Sequence, residues 1–266
     1  MPVIDIDRLP VAWREAGQGE VVLFLHGLGL TRTSWDSQLG DLSDRWRCVA
    51  WDMPGYGKSS PVEPLTFAAI TDAIAGLLDV LEVQRAHVCG LSLGGQQALH
   101  FALAHPGRVA SLILADTSAA FGGDGTDPDA WLKARLAPLE AGLTPADFAH
   151  DVLCSVAGPE FGGDSLAAAV ASFSRITSAG LRAACECLTT HDVRGRLEEI
   201  AMPTLVIVGE LDEETPLAYS RLLADRIPGA ELVVIDGAGH LSPCEAPAEF
   251  NATVRRFLVD AGTVRP

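Results

Sequence analysis

Positive charge is scarce in this sequence. Its 266 residues carry 19 Lys and Arg against 35 Asp and Glu, a formal net charge of −16. A phosphate backbone repels such a surface, which excludes nucleic-acid binding and disfavours docking on anionic membranes. Lysine is almost missing, present only as Lys58 and Lys133, and this is read as a compositional bias. The six cysteines (48, 89, 154, 185, 187 and 244) show no CxxC spacing, so no zinc site is expected. Cys48 and Cys89 lie in apolar runs, where cysteine acts as a small buried hydrophobe, and a reducing, cytoplasmic compartment is expected. The opening MPVIDIDRLP lacks the basic and apolar regions of a signal peptide. No apolar run reaches the roughly 18 residues of a membrane span.

What is present is an ordinary globular mixture, 48% apolar and 20% charged. The length suits one large domain or two small ones and buries a core without staples. Short apolar runs recur at Val21–Leu25, Cys48–Trp51, Ala86–Gly90, Leu112–Ala115, Thr204–Gly209 and Glu231–Asp236. Several are rich in Val and Ile without alternation, as in strands covered on both faces. Helical patterns lie between them, at Phe67–Leu81, Leu93–His105, Pro216–Arg226 and Ala246–Val259. This alternation predicts an α/β fold, a mostly parallel twisted sheet with helices on both faces. Val11–Ala16 is expected to add an antiparallel edge strand. From Ala115 to Thr204 the rhythm stops and only helical stretches appear, at Pro128–Ala141, Thr144–Val156, Leu166–Thr177 and Leu181–Thr189. Residues 1–116 and 196–266 are therefore expected to form the core, and residues 117–195 a helical cap inserted after the sixth strand.

Chemistry concentrates at Gly90-Leu91-Ser92-Leu93-Gly94-Gly95. A buried strand enters this G-x-S-x-G pattern and a helix leaves it, the setting of a nucleophile elbow. The bland alternative is a strand–helix turn with Ser92 as an N-cap. A serine hydroxyl needs a base. His240 is the best candidate, in the Gly237-Ala238-Gly239-His240 loop after a strand, where ligands of open α/β sheets bind. His26, His87, His100, His105, His150 and His191 read as structural. The base needs a carboxylate to fix its tautomer. Asp212, after the strand at 204–209, is the candidate, with Asp116 as runner-up. Acyl transfer also needs donors for an oxyanion, and the N–H groups of Leu28, in His26-Gly27-Leu28-Gly29, and of Leu93 are placed to serve. The glycine pattern fits neither a phosphate loop nor a dinucleotide fingerprint.

In this order the motifs resemble the α/β-hydrolase superfamily: HGLG at 26–29, DMPGYGKS at 52–59, GLSLGG at 90–95, GELDEETP at 209–216 and GAGHLSPCEAP at 237–247. The resemblance implies a triad of Ser92, His240 and Asp212 under a helical cap. A serine, not an aspartate, at the elbow disfavours the dehalogenase and epoxide-hydrolase branches. HGLG followed by Trp35, the Cys-containing stretch Leu181–Leu188 and GAGHLSPCEAP are most similar to the 3-oxoadipate enol-lactonase branch and its neighbouring carboxylesterases. The implied substrate is a small-molecule ester or lactone, with no metal or organic cofactor. C–C bond hydrolases and cofactor-free haloperoxidases share the framework, as do slowly hydrolysing small-molecule receptors, which turnover distinguishes. Trp35, Phe121, Trp131, Arg135 and Arg175 are candidate pocket residues. An anionic lactone requires a cation in the pocket, from Lys133, Arg135, Arg175, Arg182 or Arg194, because a buried unpaired carboxylate is costly. A cavity without one points to neutral esters.

Overall fold

A computed structural model describes residues 3–8 and 10–263. Eight strands form one sheet: β1 (Ile4–Arg8), β2 (Val11–Ala16), β3 (Val21–Leu25), β4 (Arg47–Trp51), β5 (Ala86–Leu91), β6 (Val109–Ala115), β7 (Thr204–Gly209) and β8 (Glu231–Ile235). Their spatial order is β1-β2-β4-β3-β5-β6-β7-β8. The pairs β1–β2 and β2–β4 are antiparallel, and every other pair is parallel. All residues of β3, β5 and β7 are buried, so both faces are covered, as their mostly apolar sequences require.

One expectation about the sheet edge changes. Val11–Ala16 is antiparallel, but it is not the edge, because β1 pairs outside it. The β1 sequence IDIDR alternates apolar with charged residues, the pattern of a strand with one covered and one solvated face, and the strand order puts it at the edge. Four helices fall where their periodicity puts them, α2 (Phe67–Val80), α3 (Leu93–Ala104), α8 (Leu217–Arg226) and α10 (Pro247–Thr263), and two more, α1 (Asp36–Leu42) and α9 (Ser242–Glu245), were not expected; all six surround the sheet. Between β6 and β7 come α4 (Pro128–Glu140), α5 (Pro145–Val156), α6 (Gly163–Phe173) and α7 (Ser178–Leu188). Thr144 and Asp147 form a reciprocal capping box at the start of α5, and Pro at the first turns of α4 and α5 pre-sets the helical backbone. The two ends of this helical excursion are tied together. Ala120 bridges Asp192, Phe121 N–H donates to His191 O, and Val193 N–H donates to Ala119 O.

The strand order sets the site. From β3 the chain goes to β4 on one side, then crosses to β5 on the other. The crevice beyond the carboxyl ends of β3 and β5 is a topological switch point, where α/β sheets bind ligands. Among the described residues no helix is long and apolar enough to cross a membrane.

Candidate active site

Ser92 follows β5 with φ 54° and ψ −118°, outside the extended region that an N-cap adopts, and its side chain caps nothing. Ser92 thus stands at the N-cap position of α3, but its hydroxyl does not cap the helix. A positive φ at a non-glycine residue is strained and persists only where the surroundings fix it. Here Gly95 and Gln96 N–H donate to Ser92 O, and Thr117 Oγ1 donates to the same oxygen at 2.7 Å. The turn has no room for side chains. A Cβ at Gly90 would lie 2.1 Å from Gly94 O, and one at Gly94 would lie 2.0 Å from Leu25 O.

Ser92 Oγ lies 2.9 Å from His240 Nε2, and His240 Nδ1 lies 3.0 Å from each carboxylate oxygen of Asp212. Three segments distant in sequence thus meet in one hydrogen-bonded line. Asp212 is itself held. Its Oδ1 accepts from Glu214 N–H and Thr215 N–H, and its Oδ2 accepts from Thr215 Oγ1. Burial disfavours the charged imidazole of His240, but the charge and hydrogen bond of Asp212, with Asp116 and Glu214 behind, outweigh it and raise its pKa to about 9.

Asp116 sits at the end of β6, wholly buried, with φ 44°. Its carboxylate accepts from Gly209 N–H, Ser242 N–H and Ser242 Oγ. Burial, then the charge of Asp212, pushes its carboxyl up to about 8. These bonds join β6 to β7 and α9, whereas Asp212 carries the hydrogen bond to His240.

The remaining histidines have other partners. His26 Nε2 accepts from Met53 N–H and its ring stacks on Tyr56. His87 bonds Ser111, and His100 stacks on Phe67 while bonding His191.

A cavity of about 590 Å³ opens over Ser92 and His240. Loops after β3 and β5 form its floor and α4–α7 its walls, an apolar enclosure of the kind that holds small molecules. Leu28, Phe121, Trp131 and Arg135 line it. Leu93 N–H lies in the first turn of α3, whose N–H groups lack intrahelical partners. Two expected pocket residues lie elsewhere. Trp35 is 1% exposed and packs between Phe24 and Phe250, because the turn at 32–35 drives it into the core. Arg175 lines a separate cavity with Asp5, Arg14, Arg32 and Asp52. Arg182 pairs with Glu140 and Arg194 with Asp192.

Three side chains that sequence reasoning passed over hold the site. Thr215 bonds Asp212, and a Thr three residues after an Asp is a readable turn signal. Thr117 holds the elbow carbonyl, as above. Glu245 accepts from Gly239 N–H and Leu241 N–H, on either side of His240, and from Gly158 N–H beyond α5. His240 N–H itself donates to Val156 O at the end of α5. One carboxylate thus ties the histidine loop to the helical segment. Nothing in composition signals this, because the three donors are backbone groups. Glu245→Gln, whose NH₂ end would face N–H donors, should lower kcat by about 10- to 100-fold with little change in KM. Steady-state kinetics on the folded variant checks this, and an unchanged kcat would mean that Glu245 does not position His240.

Among the described residues, no group of three His, Cys, Asp or Glu side chains is arranged to hold a metal ion. Cys244 lies close to His240 in sequence, but burial pushes its thiol up to about 12, and the exposed Cys154 is not among the cavity residues. Mild alkylation at neutral pH, with or without EDTA, should leave turnover within about twofold.

A family model described as alpha/beta hydrolase fold matches residues 20–247. The chain is 31% identical over 241 residues to 3-oxoadipate enol-lactonase 2 of Acinetobacter baylyi, covering 89% of this chain and 88% of that one. A hydrolase structure from Pseudomonas aeruginosa superposes with TM-score 0.85 at 31% identity, covering 96% and 98% of the two chains. A thermophilic esterase from Thermogutta terrifontis matches with TM-score 0.85 at 28% identity, covering 98% and 99%.

Proposed function

The chain belongs to the α/β-hydrolase family, and on that premise we propose that it is a serine hydrolase cleaving the carboxylic ester or lactone bond of a small molecule through an acyl-enzyme. The observation that carries this reading is the hydrogen-bonded line from Ser92 through His240 to Asp212 at the floor of a mostly apolar cavity. His240 Nε2 takes the proton from Ser92 Oγ as Oγ attacks the carbonyl carbon. The carbonyl electron pair moves onto oxygen, where the N–H groups of Leu28 and Leu93 hold it. Collapse breaks the ester C–O bond, and His240 returns its proton to the departing alkoxide. In a lactone that alcohol stays attached to the acyl group. Water, deprotonated by His240, then attacks the acyl carbon and frees the acid and Ser92. Asp212 keeps the Nδ1 proton in place and stabilises the imidazolium without taking the proton.

Residues 117–195 act as the cap that shapes the acyl and alcohol subsites, with Phe121, Trp131 and Arg135 among its contributions. The unpaired cysteines suit a reducing compartment, and the protein is assigned to the cytoplasm. The relatives named for enol-lactone and ester hydrolysis support the bond type. A panel of p-nitrophenyl esters, simple lactones and enol-lactones tests the reading, with Ser92→Ala as the blank. Turnover that depends on Ser92 is expected. Binding without turnover across the panel would move the protein to the receptor class.

A further inference from the structure

The cavity over Ser92 carries more acid than base. Asp124, Glu213 and Glu214 line it against a single guanidinium, Arg135, among the described residues. Arg135 is already engaged. It pairs with Glu214 at 3.3 Å and lies over the Trp131 ring, 5.1 Å from the centroid. The other group able to carry positive charge there, His240, is committed to Asp212. Beyond the pocket the chain has a net charge of −16, so the long-range field repels an anion before it arrives. One buried polar group of the cavity is neutral and unpartnered. Gln96, one helical turn after Ser92, is 5% exposed, lines the cavity, and has no hydrogen-bond partner for its Oε1.

From this distribution we propose that the site takes an uncharged ester or lactone and rejects acyl groups that bear a carboxylate, with Gln96 as the neutral polar contact for the substrate. This rests on the serine-hydrolase reading above and narrows its substrate class. The Arg135–Glu214 pair is the determinant. An incoming carboxylate would have to displace Glu214 to reach Arg135, and would do so beside Glu213 and Asp124. An uncharged acyl chain has no such charge to displace and can pack on the apolar part of the lining, such as Phe148, Leu153 and Phe173. Identity to an enol-lactonase therefore does not carry the charge of that relative's substrate to this chain.

The test compares p-nitrophenyl valerate with p-nitrophenyl hydrogen glutarate, whose acyl chains are of equal length and end in methyl and carboxylate. The valerate should be hydrolysed with a kcat/KM about 100-fold higher. Added salt should raise the rate on the glutarate ester and leave the valerate flat. The double variant Glu213→Gln/Glu214→Gln should shift the ratio towards the glutarate ester by about tenfold, because it frees Arg135 and removes two like charges. Gln96→Leu should leave the charge ratio in place and alter KM for hydroxylated acyl chains. Equal or better turnover of the glutarate ester, or its loss in Arg135→Gln, would overturn the proposal while leaving the hydrolase reading intact. A pair of alkylphosphonates, one ending in carboxylate, gives the same comparison as a rate of covalent capture should turnover be slow. If neither phosphonate labels the protein and neither ester is cleaved, the serine-hydrolase reading fails, and this inference with it.

Discussion

Exchanging Asp212 for Asn should lower kcat/KM by about 10⁴-fold, while Asp116→Asn should stay within about tenfold of the parent enzyme. The geometry gives the reason. Oδ1 of Asp212 accepts two backbone N–H groups, from Glu214 and Thr215. In the variant the amide oxygen must occupy that position, which turns the NH₂ group towards His240 Nδ1. Nδ1 then becomes an acceptor, the ring proton moves to Nε2, and Nε2 can no longer take the proton of Ser92. At Asp116 the bonds run to Gly209 and Ser242, and no hydrogen bond reaches His240. A reversed ranking would move the acid to the end of β6.

The same pair of variants separates the two carboxylates by pH. Catalysis needs neutral His240, and its pKa stands above the ordinary 6.5, at about 9. The rise of kcat/KM with pH should therefore be centred above neutrality. Removing the Asp212 charge takes away the largest raising contribution, so the limb should move down in pH as the plateau falls. Asp116→Asn removes a weaker raising charge and should move the limb less.

Ser92→Ala should reduce turnover by about 10⁴- to 10⁶-fold and leave the melting temperature nearly unchanged. Alanine keeps the backbone bonds that fix the elbow, since Thr117, Gly95 and Gln96 all donate to the carbonyl of residue 92 and not to its side chain. The lost contact is the hydrogen bond to His240 alone. Thermal melting with residual-activity kinetics distinguishes this from a folding defect. Substantial activity in a well-folded variant would mean that another group attacks the substrate.

The central strands were readable because burial on both faces leaves an unbroken apolar run, as in VVLFL and TLVIVG. The elbow was readable because its turn tolerates so little beyond glycine around Ser92. Strand β1 was not, because its alternation of Asp with Ile resembles a polar terminus until β2 is known to need a partner. Trp35 misled for a related reason. A Trp beside a glycine-rich loop resembles a pocket wall, and only the turn at 32–35 shows that it faces Phe24 and Phe250. Arg175 lies within the helical segment in sequence, but it follows α6 and lines the separate cavity with Asp5 and Arg14. Glu245 shows a different limit. Its partners are backbone N–H groups from Gly158, Gly239 and Leu241, and a sequence pattern records side chains, not where main-chain donors converge.

Covalent capture identifies the attacking residue. The protein is treated with a neutral alkylphosphonate, weighed intact by mass spectrometry, and digested to locate the adduct. One phosphonyl group per chain is expected, on Ser92, forming at a rate that falls sharply in Asp212→Asn. An adduct on any other residue, or none in a protein that still hydrolyses esters, would contradict Ser92 as the nucleophile.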